Sequence, residues 1–407
     1  MKLAYITAHS PFGRGETFVL EEMVAMRELG AKLVTIPRNP PKEAFHEDAQ
    51  KLMDRTIWLP LFNEKIVSCF LISAALEPRV WKILSEIFRH SRTLKILAKN
   101  LVVVPKAVYI AELLRQNGIE HIHVHWGSTT STMAWIASEL TNIPWSMTLH
   151  RWDIAENNLL KLKVDRATFA RCISEDGRSE MLRIIGEGFQ EKLKLHHMGV
   201  WLPEQPSLQH FSMRNDFVIA CPANFVPVKG HRFLIDACGL LVRRGFINIR
   251  CLIIGDGILN AEIQRQIRQL GLEKVILLLG RMQHGKLLRM YAESEVDAVV
   301  LPSVVMDDGG REGIPVALME AMAYGIPVIS TITGGIPELL KGGAGLLVPP
   351  GSPEDLAEAI AKLINDEDLG SNLARKGRER ISEEFDLRKN TAILLEIINQ
   401  YRSANRA

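Results

Sequence analysis

A chain of 407 residues exceeds the size at which one hydrophobic core stops growing, so two domains of about 200 residues each are expected. With 49 basic and 47 acidic residues the formal net charge is only +2, which gives no argument for nucleic acid, and none is expected as a partner. A hydrophobic content of 47% with 6% aromatics describes a soluble α/β protein, and five cysteines without C-x-x-C spacing (Cys69, Cys172, Cys221, Cys238, Cys251) read as reduced core residues of a cytoplasmic protein.

Short β-type runs alternate with longer helical patterns, which predicts parallel sheets with crossover helices. In the first half the expected strands are Leu3 to Thr7, Lys32 to Ile36, His121 to His125, Trp145 to Leu149 and Phe169 to Ile173. The first of these, in MKLAYITAHS, is too brief an apolar run for a signal-peptide core. Pro11-Phe12-Gly13-Arg14-Gly15-Glu16-Thr17-Phe18 follows it and leads into a helix. Glycines there let the backbone approach a ligand and the Glu16 and Thr17 amides cap the helix, although a structural turn reads the same way.

The longest uncharged apolar run of this half, Ile66 to Leu76, is far short of the roughly 20 residues that span a bilayer, so any membrane contact is expected to be peripheral. From Glu77 to Arg115 the pattern predicts one long helical stretch. In it Arg79, Lys82, Arg89, Arg92, Lys95, Lys99, Lys106 and Arg115 oppose only Glu77, Glu86 and Glu112. A basic face docking on anionic lipid and an ordinary solvated face both fit, and Val80, Ile83, Leu84, Ile87 and Phe88 between them could equally be core.

His121, His123 and His125 alternate along one strand and suggest a metal stripe. Alternate residues share one face of a buried sheet, however, and no carboxylate cluster accompanies them, so no metal is expected. His125 is read as lining the ligand crevice and the other two as packing. His150 ends the strand WSMTLH, where a crevice-facing imidazole can hydrogen-bond a ligand, and Asp153 is the only nearby carboxylate that could serve as a base. Trp201 to Ser212 (WLPEQPSLQHFS) is Pro-rich, polar and aperiodic, and the linker is placed there. The domains are accordingly 1–205 and 206–385, with 386–407 a separate amphipathic helix centred on Leu387 to Tyr401.

In the second half the expected strands are Phe217 to Ala220, Arg250 to Ile254, Val275 to Leu279, Ala298 to Leu301, Val328 to Ser330 and Gly345 to Val348. Lys229 follows the first of them in Pro227-Val228-Lys229-Gly230, a turn that can place an ammonium on an anion. Gly255-Asp256-Gly257 and Gly280-Arg281-Met282 end the next two, where strand ends line the crevice of an open sheet. Tight βα turns would also use such glycines, and the Gly-x-Gly lacks the third Gly of the dinucleotide fingerprint, which counts against a dehydrogenase.

Glu312-Gly-Ile-Pro-Val-Ala-Leu-Met-Glu320 sets two carboxylates eight positions apart. Pro315 suits the first helical position, so the amides after it face whatever anion sits at that helix start. Glu312 then lies on the loop and Glu320 more than one turn inside the helix, which suits hydroxyls on either side of a diphosphate. A solvated Glu pair is the bland alternative. The whole segment from Leu301 to Gly345 decides between them: Glu, seven residues, Glu, then Ala-Met-Ala, Pro-Val-Ile and a Gly-Gly-Ile-Pro-Glu loop. In register, it resembles the donor-binding segment of the retaining family 4 glycosyltransferases.

The resemblance implies a GT-B fold of two Rossmann-like doubly wound domains facing a central cleft, with the C-terminal helix crossing back to the N-terminal domain. It implies a nucleotide-diphosphate sugar donor, a UDP- or GDP-sugar, a saccharide or lipid-linked saccharide acceptor, and no metal or other cofactor. It assigns His150, Lys229 and Glu312 to catalysis and Gly15, Asn224, Gly255, Gly257, Arg281, Met282, Gly313, Ile314, Pro315, Val316 and Glu320 to the donor. Glu16, Thr17, His125 and Asp153 fall on the acceptor side. The family normally carries an Arg five positions before the Lys, where this chain has Asn224, so Arg311 or Arg281 are the nearest replacements in sequence. The Glu-Thr-Phe loop followed by Glu21 or Glu22, with the Asp-Gly-Gly-Arg-Glu-Gly-Ile-Pro run, is similar to bacterial exopolysaccharide or lipopolysaccharide enzymes, including those of the colanic acid type. That places the protein in the cytoplasm or at the inner face of the cytoplasmic membrane. A same-fold epimerase or phosphorylase, or a non-catalytic subunit, are the rival readings.

Overall fold

A computed structural model describes residues 1–12, 16–40, 47–204 and 216–404, which divide into two compact units, Met1–Met198 with Arg388–Ala407 and Gly199–Leu387. Gly15, with Gly13 and Arg14, lies outside the described residues, as does most of the Pro-rich stretch after Trp201.

The N-terminal unit is built on six parallel strands in the order β2-β1-β3-β4-β5-β6. They are β1 Lys2–Thr7, β2 Lys32–Pro37, β3 His121–His125, β4 Trp145–Leu149, β5 Ala170–Cys172 and β6 Leu193–Leu195. The near-continuous burial of β1, β3 and β4 is what helices on both faces of a parallel sheet produce. The strand β6 is absent from the sequence reading because it is three residues long with a Lys at its centre, so it shows no apolar run.

The single helical stretch expected from Glu77 to Arg115 is instead two helices, Pro78–His90 and Leu94–Gln116, after a third, Glu64–Leu76. Extended backbone at Ser91 ends the first, and the Thr93 side chain, accepting the Ile96 N–H at 3.2 Å, starts the second. Val80, Ile83 and Ile87 are core, whereas Trp81 and Phe88 are exposed. Lys106 does not belong to a solvated face at all. Its ammonium is buried and donates to the carbonyls of Pro37, Arg38 and Leu59 at 2.7 to 2.8 Å. Burial, then the field of Arg38, brings its pKa down to about 7.

The second unit has its own six parallel strands, ordered β12-β11-β10-β7-β8-β9: β7 Phe217–Pro222, β8 Ile249–Ile254, β9 Ile276–Gly280, β10 Ala298–Leu301, β11 Val328–Thr331 and β12 Leu346–Val348. Chain entry and exit run side by side in this unit: the Val200 N–H donates to Phe385 O at 2.9 Å and the Leu387 N–H to Val200 O at 3.0 Å. Beyond Arg388 the terminal helix Leu387–Ala404 belongs to the N-terminal unit, where Asn390 O accepts from His196 Nε2 at 2.7 Å and Tyr401 stacks on Phe169. No described helix is long and apolar enough to cross a membrane. Four of the five cysteines are buried, and all five are free thiols.

Candidate functional site

In the second unit the sheet's carboxyl edge gathers the residues that the sequence spreads over a hundred positions. Lys229 closes the short 3-10 turn Pro227–Lys229 after β7, and its ammonium lies 2.6 Å from Glu312 Oε2. Ser303 Oγ donates to the same oxygen at 3.4 Å. The two groups assigned separately to diphosphate and sugar are therefore an ion pair with each other. The Gly-Gly loop supports the arrangement from below. Gly334 has φ +56°, and a Cβ there would stand 1.8 Å from Glu312 O, while the Gly335 N–H donates to Gly313 O at 3.2 Å.

The helix starts one residue later than its sequence suggests. Pro315 has extended backbone (φ −72°, ψ 119°) and is the N-cap of helix Val316–Ala323, not its first helical residue. Its carbonyl accepts from Leu318 and Met319, which leaves the Val316 and Ala317 amides ahead of the first intrahelical bonds. Ile314 and Val316 are half-buried against the core, as is Met282. Glu320 is 7% exposed, and its Oε1 accepts from His284 Nε2 at 2.8 Å. His284 escapes the sequence reading, and the signal is weak: it opens the helix His284–Ala292 three residues after Arg281.

Gly255 and Gly257 serve the fold before any ligand. A Cβ at Gly255 (φ +150°) would sit 2.0 Å from Ala223 O and one at Gly257 2.6 Å from Phe225 O, so both glycines let the 223–225 turn pack against this strand end. Between them, Asp256 accepts from Asn260, the Gly257 amide and Arg281, and in that order these donors help hold its carboxyl below the usual range. Arg281 is thereby committed to Asp256, 3.1 Å away, which weakens it as the replacement for the Arg absent at the exposed Asn224. Arg311 is half-buried on the loop of Glu312.

The N-terminal unit holds a buried polar chain. His125 is fully buried rather than crevice-lining, because its Nε2 faces Glu22 Oε1 at 2.9 Å and its Nδ1 faces His150 Nε2 at 3.0 Å. Glu22 also accepts from the Tyr5 hydroxyl and, at 2.6 Å, from Arg171. A carboxylate only accepts, so His125 carries a proton on Nε2 and donates it to Glu22. Between His125 Nδ1 and His150 Nε2 one nitrogen donates and the other accepts, which ties the His150 ring to Glu22 through His125. Burial and then His125 hold the His150 pKa well below the ordinary imidazole value, so the ring is neutral. Burial opposes ionisation of Glu22, but Arg171 and then His125 outweigh it and hold its carboxyl well below the usual range.

Two acceptor-side expectations change here. Asp153 is buried and its Oδ2 accepts the His150 N–H at 2.8 Å as the reciprocal cap of helix Arg151–Glu156, so it is not placed as a free base. Burial lifts its pKa to about 7. Glu16 is the N-cap of helix Thr17–Glu28, but its carboxylate turns back to the His9 and Ser10 amides and the Trp126 indole at 2.6 to 2.8 Å. Thr17 is half-buried at the helix start. The histidine stripe does have a carboxylate: Glu22, His123 and His125 offer ligand atoms within 4.8 Å of one another. Those atoms are already bonded to Tyr5, Ser146, Thr148 and Arg171, and a cation there would meet the Arg171 guanidinium, so the donor set fits an ion-pair network better than a metal. His121 and His123 pack on the Ser146 hydroxyl at 2.8 Å.

The profile of the family Glycosyl transferases group 1 matches residues 208–380. WcaL of Salmonella typhimurium, a protein named for colanic acid biosynthesis as a glycosyltransferase, is 34% identical over 219 residues, covering 51% of this chain and 52% of that protein. The amylovoran biosynthesis glycosyltransferase AmsK of Erwinia amylovora is 34% identical over 198 residues, 48% of each chain. The chain thus spans about half the length of these relatives. Among solved structures, Anabaena Alr3699/HepE in complex with UDP is similar over 98% of this chain and 100% of its own, with a TM-score of 0.72 at 19% identity. That likeness shows the fold, which is GT-B.

Proposed function

Residues 208–380 are a glycosyltransferase group 1 domain, and from that premise we propose that the chain moves a sugar from a UDP- or GDP-sugar to an acceptor hydroxyl with retention of configuration. The observation that carries this reading is the Lys229 and Glu312 pair, 2.6 Å apart at the carboxyl edge of the second sheet. Donor binding exchanges partners. The diphosphate takes the Lys229 ammonium, and Glu312 is released to accept from a sugar hydroxyl. The Val316 and Ala317 amides add positive potential where the leaving group gains charge. His284 fixes one oxygen of Glu320 and leaves the other for the ribose. In the N-terminal unit, the His150 imidazole, held in its orientation by His125 and Glu22, is offered to a hydroxyl of a bound sugar.

No protein nucleophile is required. The acceptor oxygen attacks the anomeric carbon on the face the diphosphate leaves, the departing phosphate oxygen takes its proton, and Lys229 lowers the barrier by neutralising charge, so no metal is needed. The Alr3699/HepE structures with UDP and with UDP-glucose support a nucleotide-sugar donor. The names of WcaL and AmsK support a polysaccharide product. A place at the inner face of the cytoplasmic membrane rests on helices Glu64–Leu76 and Pro78–His90. These expose Leu71, Ile72, Leu76, Trp81 and Phe88 with Lys82 and Arg89, and Trp81 Nε1 joins the two helices through Ala74 O at 2.7 Å. The test is donor turnover with chelator present. Sugar transfer that persists with EDTA, keeps the anomeric configuration and collapses in Glu312→Ala supports the reading, and full transfer in Glu312→Ala with Glu320→Ala refutes it.

A further inference from the structure

The N-terminal unit contains a cavity of about 600 Å³ that no step above uses. It lies at the carboxyl edge of the sheet: Arg38 follows β2, Ser128 and Thr129 follow β3, and Trp152 and Glu156 lie on the helix after β4. The strand order reverses between β1 and β3, and the crevice at such a reversal is where open α/β sheets take ligands. Its walls are of two kinds. Arg38, Lys95 and Lys99 face one carboxylate, Glu156, while Val102, Leu61 and the largely exposed Trp152 make an apolar side.

The cationic wall is held in place from behind. Lys106 clamps the carbonyls of Pro37 and Arg38, and Lys163 clamps those of Gly127 and Ser128 at 2.9 and 2.7 Å, so the two loops that line the cavity are each tied to a buried ammonium. Arg38 Nη1 donates to Thr129 Oγ1 at 2.7 Å, which joins those loops across the cavity floor. Glu156 is paired with Lys99. Glu16, the other carboxylate whose field reaches Arg38, spends its oxygens on the His9 and Ser10 amides and the Trp126 indole. The charge facing the cavity is therefore net positive, and it borders an apolar strip.

We propose that this cavity binds a phosphate ester borne by the acceptor, its charge on Arg38, Lys95 and Lys99 and the group attached to the phosphate on Trp152 and Val102. This rests on the reading that the chain is a glycosyltransferase with its acceptor in the N-terminal unit. A phosphate of this kind comes from a lipid-linked saccharide or from a soluble sugar phosphate, and the apolar strip distinguishes them.

The test uses octyl phosphate, glucose 1-phosphate and methyl glucoside as probes, titrated calorimetrically into the full chain carrying Lys229→Gln, so that the diphosphate site does not answer. Both phosphates bind, methyl glucoside does not, and adding Lys95→Gln and Lys99→Gln weakens the phosphates by about tenfold or more, the loss of one charge-assisted contact. Octyl phosphate binding more tightly, with Trp152→Ala removing the advantage, identifies a lipid-linked source; equal binding identifies a soluble one. The proposal is overturned if the phosphates bind equally well after both substitutions, if neither binds, or if methyl glucoside matches them. Both lysines are exposed, and Lys95→Gln alone gives the same reading should the double variant unfold. UDP titrated into Lys95→Gln/Lys99→Gln with Lys229 intact reports separately: UDP bound there while the chain carrying only Lys229→Gln takes neither phosphate sinks the cavity alone, and no UDP binding sinks the donor reading.

Discussion

Glu22→Gln removes one negative charge from a fully buried site while keeping the shape of the side chain. Two effects compete in its size. If Glu22 were only a hydrogen-bond acceptor for Tyr5 and His125, the amide oxygen would replace most of it and the loss would be about 0.5–1.5 kcal/mol. The structure places the Arg171 guanidinium 2.6 Å from the other oxygen, with Glu22 and Arg171 each 1% exposed, so the variant leaves a cation buried without its counter-charge. Breaking such a pair costs about 3–5 kcal/mol, a large share of the 5–15 kcal/mol typical of a folded protein.

Urea denaturation followed by tryptophan fluorescence measures the loss, because Trp58, Trp81, Trp126, Trp135, Trp145 and Trp152 belong to the N-terminal unit and only Trp201 does not. The pH dependence has a definite sign. The Glu22 carboxyl is held well below the usual carboxylate range in the folded chain, so its contribution is present above the pKa of the unfolded chain and lost as pH falls through the folded pKa. The gap between wild type and Glu22→Gln therefore closes on acidification. A loss under about 1 kcal/mol at pH 7.5 would refute the reasoning, and Glu22→Leu with Arg171→Met should recover part of the stability because no unpaired charge remains.

Gly334→Ala is expected to lose at least 1 kcal/mol, about the strain of a non-glycine residue at positive φ, and to lose nucleotide binding because its methyl would collide with Glu312 O; retained UDP affinity would count against the loop's supporting role. His284→Ala is expected to weaken UDP binding by about tenfold with little change in melting temperature, as Glu320 loses the donor that orients it; unchanged affinity would remove Glu320 from the ribose. Leu76→Ser with Phe88→Ser should abolish cosedimentation with vesicles containing anionic lipid, since both side chains are exposed apolar groups. Equal sedimentation of the variant would dismiss that face as the membrane contact.

Both sheets are legible in the sequence because short β-type runs alternate with longer helical patterns along the chain. The exceptions have local causes. The strand Leu193–Leu195 is too short to show a run, and the break at Ser91 is hidden because basic residues continue across it. In the site, the Glu312 to Glu320 spacing and the Gly-Gly loop can be read because they sit on contiguous chain. What sequence does not reveal is pairing across the fold. Lys229 meets Glu312 and His284 meets Glu320 only through the parallel order of the second sheet. Glu22, read only as part of a motif, turns out to orient His150 from 128 positions away through His125, and Asp153 is spent on a helix cap.

The proposed transfer requires a nucleoside diphosphate to displace Glu312 from Lys229. Calorimetric titration of UDP and GDP into the wild-type chain and into Lys229→Ala, in EDTA, measures that exchange directly. Saturable binding of one of them to the wild type, weakened by tenfold or more in Lys229→Ala, is the expected result. Equal affinity in both proteins, or no affinity of the wild type for either nucleotide, would contradict it.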